Sequence, residues 1–463
     1  MRPYDGRMAR RGSFVRDALL PMIRLAMPVV AAELGWMAMG VVDTVMVGPL
    51  GAAALGGTGI GSTLFIAVGV FGMGLLLGLD TVVSQAFGAG RRDECDQWLV
   101  AGLWLALLAT VPLAGLMWLL LSGLPWFGFH PAVLPYVQAY FPIVTLSLPP
   151  LLLYSALRRY LQALSRVGTI AFALVSANLV NVLVNWILIY GIGPAPALGV
   201  RGAAWATVLS RVYMAAVLAW AAWRVHHRPG AAPLSWTLPV ERLRRLLVLG
   251  VPAAAHLTFE VGVFSAVTAL AGRLQPDALA AHHIALNITA VVFMVPLGIS
   301  TAAAVLVGQH IGRHDVDGAR RAGWAAIVLV LTLEGLAALA FLAVPAAFIR
   351  LFTVEAGVIV IGSRLLLVAA AFSLFDGLQV ATTGALRGLA ETRVPMMISL
   401  VGYWLSGLPL GWWLCFRSGY GVVGLWVGLA VSLFMVGTAL LMLWRLRIGQ
   451  AVRHLEIVAV TSA

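Results

Sequence analysis

The sequence predicts an all-α polytopic membrane protein of twelve transmembrane helices in two pseudo-symmetric six-helix lobes. Three observations carry that reading. The chain has 463 residues, of which 61% are hydrophobic and 10% charged, against roughly 25% charged in soluble domains. Its arginines alternate from one connection to the next. Its two halves repeat one another at a fixed offset.

Apolar stretches long enough to cross a hydrocarbon core of about 30 Å fall near 21–48, 53–88, 97–122, 133–157, 168–191 and 203–224, then near 246–272, 279–311, 322–347, 358–386, 395–416 and 421–444. Several exceed a minimal span, which implies tilt or protruding helical ends. The runs are too long for barrel strands and lack period-two alternation. The formal charge of +12 comes from arginine, with no lysine in the chain. It follows the connections, so nucleic acid is excluded as a partner. Arginines crowd the N-terminal arm (Arg2, Arg7, Arg10, Arg11, Arg16, Arg24), the even-numbered connections (Arg91, Arg158, Arg228, Arg313, Arg393 and neighbours) and the tail (Arg445, Arg447, Arg453). The other side holds only Arg201, Arg273, Arg350 and Arg417, with Arg211 and Arg364 in or near spans. This is the positive-inside pattern, and it puts both termini in the cytoplasm. Cys95, expected in a loop, and Cys415 make no disulfide framework. No cleavable signal peptide is evident, since the first apolar run is too long for a signal core.

A shift of 224 residues aligns Leu25–Gly88 with the second half without gaps: Pro28 on Pro252, Thr44 on Thr268, Gly74 on Gly298, Gln85 on Gln309, Gly88 on Gly312. Further on, SALRRYLQAL resembles GALRGLAET, and LGVRGAAWA resembles YGVVGLWVG. Each half has an even number of spans, so the repeat is parallel, with its pseudo-twofold along the membrane normal. The polar, proline-containing stretch 224–245 joins the halves, giving lobes 1–230 and 231–463. A duplication kept only for stability is the plainer reading; a transporter rocking about a central cavity is the functional one.

Ionisable groups at mid-membrane are costly and mark ion or substrate paths. Glu260 lies midway along span 7, and His256 is four residues earlier on the same face. They make a candidate proton or cation relay, or a tether between helices. Asp376 sits in span 10 with Ser373, Gln379 and Thr383 on one face, either a site or a hydrogen-bonded helix seam. Asp43 in span 1 is matched by Asn178, Asn181 and Asn185 on one face of span 5; amide oxygens with a carboxylate are ligands for a hard cation or partners for a titrating acid. Glu33 lies ten residues before Asp43 in span 1, about 80° around the helix from it. Glu334 and Asp80 are expected to be structural or interfacial.

The stretches GVVDTVMVGPLG, GLDTVVSQAFGAG, NVLVNWILIYG, FEVGVFSAV, AAHHIALNITAVVFMVPLGIS and FDGLQVATTGALRG resemble those of the multidrug and toxic compound extrusion (MATE) family, most closely its NorM-like branch, in family order over nearly the whole chain. The resemblance implies export of organic cations and drugs in exchange for Na⁺ or H⁺. It also implies that Glu260 and Asp376 form a second-lobe cation site, with transient Na⁺ there if sodium is the ion, and that Asp43 with Asn181 and Asn185 forms a first-lobe site. NorM-like members often carry Gln where His283 stands; an imidazole there can titrate, which favours protons. Glu33 is an acid that the resemblance does not account for.

The resulting expectation is a monomeric antiporter without cofactor beyond its coupling ion. It would take lipophilic cations between the lobes against adaptable walls (Trp36, Met39, Phe264, Met294, Phe375), with membrane lipids as its other partners. A flippase for lipid-linked cargo needs basic cavity residues, whereas the intramembrane charges here are mainly acidic. A membrane-embedded enzyme lacks a motif: His282 and His283 are adjacent and point about 100° apart on a helix. A purely structural protein leaves Glu260, Asp376 and Asp43 unexplained.

Overall fold

The computed structural model describes residues 14–191 and 196–461, so Arg2, Arg7, Arg10 and Arg11 lie outside the described residues. The described chain is helical, and twelve spans emerge if the one bent pair counts as a single span. Span 1 is Leu20–Val47, span 3 Arg92–Gly123, span 5 Val167–Tyr190 and span 6 Val200–His226. Span 7 is Val240–Ala271, span 8 Pro276–Gly312, span 9 Val316–Ala343, span 10 Ala356–Gly388 and span 12 Gly421–Thr461. Three are interrupted. Span 2 is Ala52–Leu75 followed by Gly78–Gly88. Span 4 is Leu134–Thr145 and Leu148–Ala163, bent by 45°; prolines in the first turn of the second piece start a new helix where no N–H is needed. Span 11 runs Arg393–Phe416 with a π-helical stretch at Leu400–Gly407. Interrupted helices are tolerated at membrane depth only where neighbouring protein satisfies the freed backbone. Cys95 is not in a loop: it opens span 3 and is buried, and both cysteines are free. Arginine in the following turn did not mark where the helix began.

The repeat is visible as geometry. A Cβ on Gly88 would lie 2.0 Å from the Gln309 carbonyl oxygen, and one on Gly312 would lie 2.0 Å from that of Gln85. Both pairs are related by the 224 shift, so spans 2 and 8 cross backbone to backbone at their ends. One level deeper, Gly74 abuts Ala254 and Gly298 abuts Val30, again a pair of equivalent contacts. Gln85 Nε2 donates to the Gly388 carbonyl at 3.0 Å, and Gln309 Nε2 to that of Ala163 at 2.9 Å. Left-handed residues Ser165 and Ala390 (φ 60° and 64°) close spans 4 and 10. Those ends therefore pair at a shift of 225, one helical turn away from the match of SALRR to GALRG; similar letters on adjacent turns of an arginine-bearing helix misled the alignment. Gly199 and Gly421 (φ 56° and 57°) open spans 6 and 12 in the register read from the sequence.

The two hydrophobic cores exchange helix halves. Met22, Leu25, Ala26 and Val29 of span 1 pack in the second lobe's core, while Leu243, Leu246, Leu249 and Ala254 of span 7 pack in the first. All these residues lie toward the end where the arginine-bearing connections gather. The cross-lobe hydrogen bonds gather there too, so the lobes are sealed at the arginine-rich end. Replacing Gly88 by Val should drive a side chain into the Gln309 backbone and lower stability by about 1–3 kcal/mol. Gly40→Val, with nothing within 4 Å of its Cβ, should leave the unfolding temperature in detergent unchanged; equal losses for both would remove the crossing as the cause.

Candidate functional site

In the first lobe, span 5 faces span 1. Asn185 Nδ2 donates to Asp43 Oδ1 at 2.7 Å and to Asn181 Oδ1 at 3.1 Å. Thr207 of span 6 reaches Asp43 Oδ2 at 3.4 Å. Asn181 and Asn185 are fully buried, and Asp43 is half-buried. Asn178 does not join them. Its Nδ2 donates to the Gly35 and Leu174 carbonyls, each at 3.0 Å, so it ties span 5 to span 1. Three residues short of Asn181, it meets span 1 at Gly35, whose missing side chain leaves room for Leu174 and Asn178.

Sequence reasoning missed Thr207, and it missed the role of Arg211. This arginine is buried in the first lobe, donates to Ser147 at the span 4 break, and lies 4.3 Å over the Phe65 ring. It stands one turn beyond Thr207, which reaches Asp43. No periodic pattern marks such a residue; a lone arginine inside span 6 was the only signal.

In the second lobe, Glu260 and Asp376 approach across spans 7 and 10, and both are buried. Gln379 links them: its Nε2 donates to Glu260 Oε1 at 2.7 Å, and it stands one turn beyond Asp376. Asp376 Oδ1, Gln379 Oε1 and Thr383 Oγ1 are buried without a partner. His256 Nε2 stands 4.0 Å from Glu260 Oε2, too far for a hydrogen bond, while its Nδ1 shares one with Ser399 Oγ at 2.8 Å. It thus tethers span 7 to span 11 as well as facing the acid. Glu334 is buried in span 9, its stem against Gly377 beside Asp376. Among the described residues no group of three or more His, Cys, Asp or Glu has the placement to hold a metal; a monovalent ion at Glu260 and Asp376 would draw on amide and hydroxyl oxygens instead.

His283 stands apart from both clusters. It is exposed on span 8, so the imidazole that favoured protons is not among these acids. Its neighbour His282 is the buried one: Trp426 Nε1 donates to its Nδ1 at 3.0 Å, leaving Nε2 to donate to Thr268 at 2.8 Å. The pair of donors fixes one neutral tautomer. Of the expected cavity walls, Met39 is instead buried in the first lobe's core. Trp36 stacks on Tyr154, and Phe375 packs edge-on against Phe434.

The remaining buried acids are satisfied by arginine. Glu33 is paired with Arg158. Asp80, fully buried, has Arg159 at 3.2 Å and Arg387 of the other lobe at 3.8 Å. A narrow cleft of about 50 Å³ runs beside Glu260 and His256 in the second lobe, past Thr383 and Arg387 to Glu391 and Thr392.

Two lobes closed at one end, with polar clusters inside each, define a membrane transporter of the two-lobe, twelve-helix class. The MatE family profile matches residues 28–187 and again 252–413, starting points separated by the same 224 residues as the internal repeat. The chain belongs to the MatE family. It is 35% identical over 446 residues to the probable multidrug resistance protein NorM of Bradyrhizobium diazoefficiens, covering 93% of this chain and 94% of that one. It is 36% identical over 442 residues to the probable multidrug resistance protein NorM of Deinococcus radiodurans, covering 94% and 97%. The fold is also that of the eukaryotic MATE transporter AtDTX14, with TM-score 0.84, 22% identity and coverage of 95% and 98%. An outward-facing multidrug resistance MATE transporter superposes with TM-score 0.83 at 19% identity, covering 94% and 96%.

Glu33→Gln leaves Arg158 buried without its carboxylate. Breaking a buried pair costs about 3–5 kcal/mol, so the variant should melt earlier in detergent while its transport per folded molecule is retained. A Glu33→Gln protein of unaltered stability that loses transport would move Glu33 into the functional set.

Proposed function

We propose that this chain is an antiporter that exports lipophilic organic cations in exchange for H⁺ or Na⁺, by alternating access between its two lobes. One observation carries the reading. Glu33 and Asp80 each have a guanidinium within ion-pair distance, whereas Asp43, Glu260 and Asp376 have none among the described residues. Asp43 and Glu260 are met by amides, a hydroxyl and an imidazole 4.0 Å away, and Asp376 Oδ1 is buried without a partner. A buried carboxylate without a fixed countercharge is expensive, so these sites have room for a mobile cation. The multidrug resistance names of the relatives support drug cations as cargo.

The arginine-rich end is the cytoplasmic one on the positive-inside rule, with the 224–245 stretch as the cytoplasmic joint between lobes in an inner membrane. The lobes are sealed at that end, so the conformation is the outward-facing one. In it, an external cation neutralises the carboxylates, which lowers their hold on a positively charged drug and favours the drug's release. Parting of the lobes at the arginine-rich end then returns the ion and admits new cargo. The differential affinity of the two states for ion and drug is what drives the exchange.

Ethidium movement in proteoliposomes, with ΔpH and ΔNa⁺ imposed separately, tests this. One gradient should drive export, and Glu260→Gln or Asp376→Asn should each cut the driven rate by about tenfold or more, the factor given by roughly 1.4 kcal/mol of lost barrier lowering. If neither gradient moves ethidium, antiport is refuted. If both variants transport normally, the second-lobe site is refuted although antiport stands.

A further inference from the structure

The second-lobe cleft has a direction. Span 7 runs away from the arginine-rich end and span 10 runs back toward it, so Glu260 and Val380 line its depth and Glu391 and Thr392 its arginine-rich end. From Val380 to Arg387 the helix rises about 10 Å at 1.5 Å per residue. Thr383 Oγ1, Arg387 Nε and Thr392 Oγ1 along this route are buried without a hydrogen-bond partner. Buried polar groups are otherwise nearly always paired, and a row of unpaired ones in a polar cleft is what a chain of water molecules satisfies. A polar track thus leads from the buried carboxylate toward the arginine-rich end while the lobes are sealed there. In an antiporter such a track is a leak: a cation slipping along it discharges the gradient without moving cargo.

Arg387 stands across that track. Its side chain is 9% exposed, and it lines the same cleft as His256 and Glu260. The first lobe faces it. Asp80 Oδ2 lies 3.8 Å from its Nε, an ion pair without a hydrogen bond, and Thr81 Oγ1 anchors the helix by donating to the Arg387 backbone carbonyl at 2.6 Å. Asp80 is itself held by Arg159 at 3.2 Å. A fixed guanidinium in a narrow polar passage repels cations and excludes protons.

We propose that Arg387 is the ion gate of the second lobe: drawn to the Asp80 carboxylate of the first lobe, with its backbone anchored by Thr81, it blocks cations between Glu260 and the arginine-rich end, and it is released only when the lobes part there. The assignment rests on the antiport reading, since the ion in question is the one held at Glu260. It gives coupling a physical basis. The groups that pin the gate belong to the opposite lobe, so ion passage and lobe closure exclude one another without a separate sensor.

The test is ion flux without drug. Full-length protein in proteoliposomes is given a proton gradient read by an internal pH dye, or a sodium gradient read by a sodium dye, with ethidium absent. Arg387→Gln should raise the passive flux of the coupling ion by about tenfold or more, the factor that corresponds to roughly 1.4 kcal/mol of barrier. Arg387→Lys, which keeps the charge, should stay as tight as the unaltered protein. A folded Arg387→Gln protein with no added flux of either ion overturns the proposal, as does an equal leak in Arg387→Lys. Should the glutamine variant fail to fold, single cysteines on either side of an intact Arg387 serve. Glu391→Cys should react with a membrane-impermeant thiol reagent from the arginine-rich side about tenfold faster than Thr383→Cys, the same barrier factor; equal rates overturn the gate. Failure of ethidium to follow either gradient in the unaltered protein speaks to the antiport reading alone, because the leak and labelling measurements contain no drug.

Discussion

The structure depends on the backbone contact between spans 2 and 8. Gly88 against the Gln309 carbonyl and Gly312 against that of Gln85 bring two helices together with no side chain between them. Lipid offers no hydrophobic drive for helices to associate, so close packing at small residues and hydrogen bonds must hold them. The two glutamines supply the bonds, each donating to the last carbonyls of the opposite lobe's arginine-bearing helix. That crossing seals one end of the molecule. It also sets Asp80 beside Arg387.

Electrostatics then sorts the acids. A carboxylate in a low-dielectric interior is tolerated when a guanidinium shares its site, and Glu33 and Asp80 follow that rule. Asp43 and Glu260 depart from it and are held by amides and a hydroxyl, and Asp376 keeps an oxygen buried without a partner. The departure is asymmetric between lobes. Trp36 occupies the position equivalent to Glu260, and the equivalent of Asp43 is Val267. A duplicated scaffold has diverged into one lobe whose acid lies near the buried Arg211 and another whose acids line a cleft.

Much of this was legible before any coordinates. Apolar run lengths and the arginine alternation determine the number of spans, because the cost of burying peptide groups and charges in hydrocarbon leaves few other solutions. The 224-residue repeat, and the candidacy of Glu260, Asp376, Asp43, Asn181 and Asn185, follow from polar residues where polarity is costly. The sequence by itself could not separate Asn178 from its two neighbours, or His283 from His282, because residues one turn or one step apart differ only in what the next helix presents. Nor could it pair Glu33 with Arg158, 125 positions apart, or show that Asp80, Arg159 and Arg387 meet across the lobes. Those outcomes were decided by tertiary structure alone, since ion pairs and clefts are made where helices from distant parts of the chain cross, and periodicity within one helix carries no information about the angle or depth of that crossing.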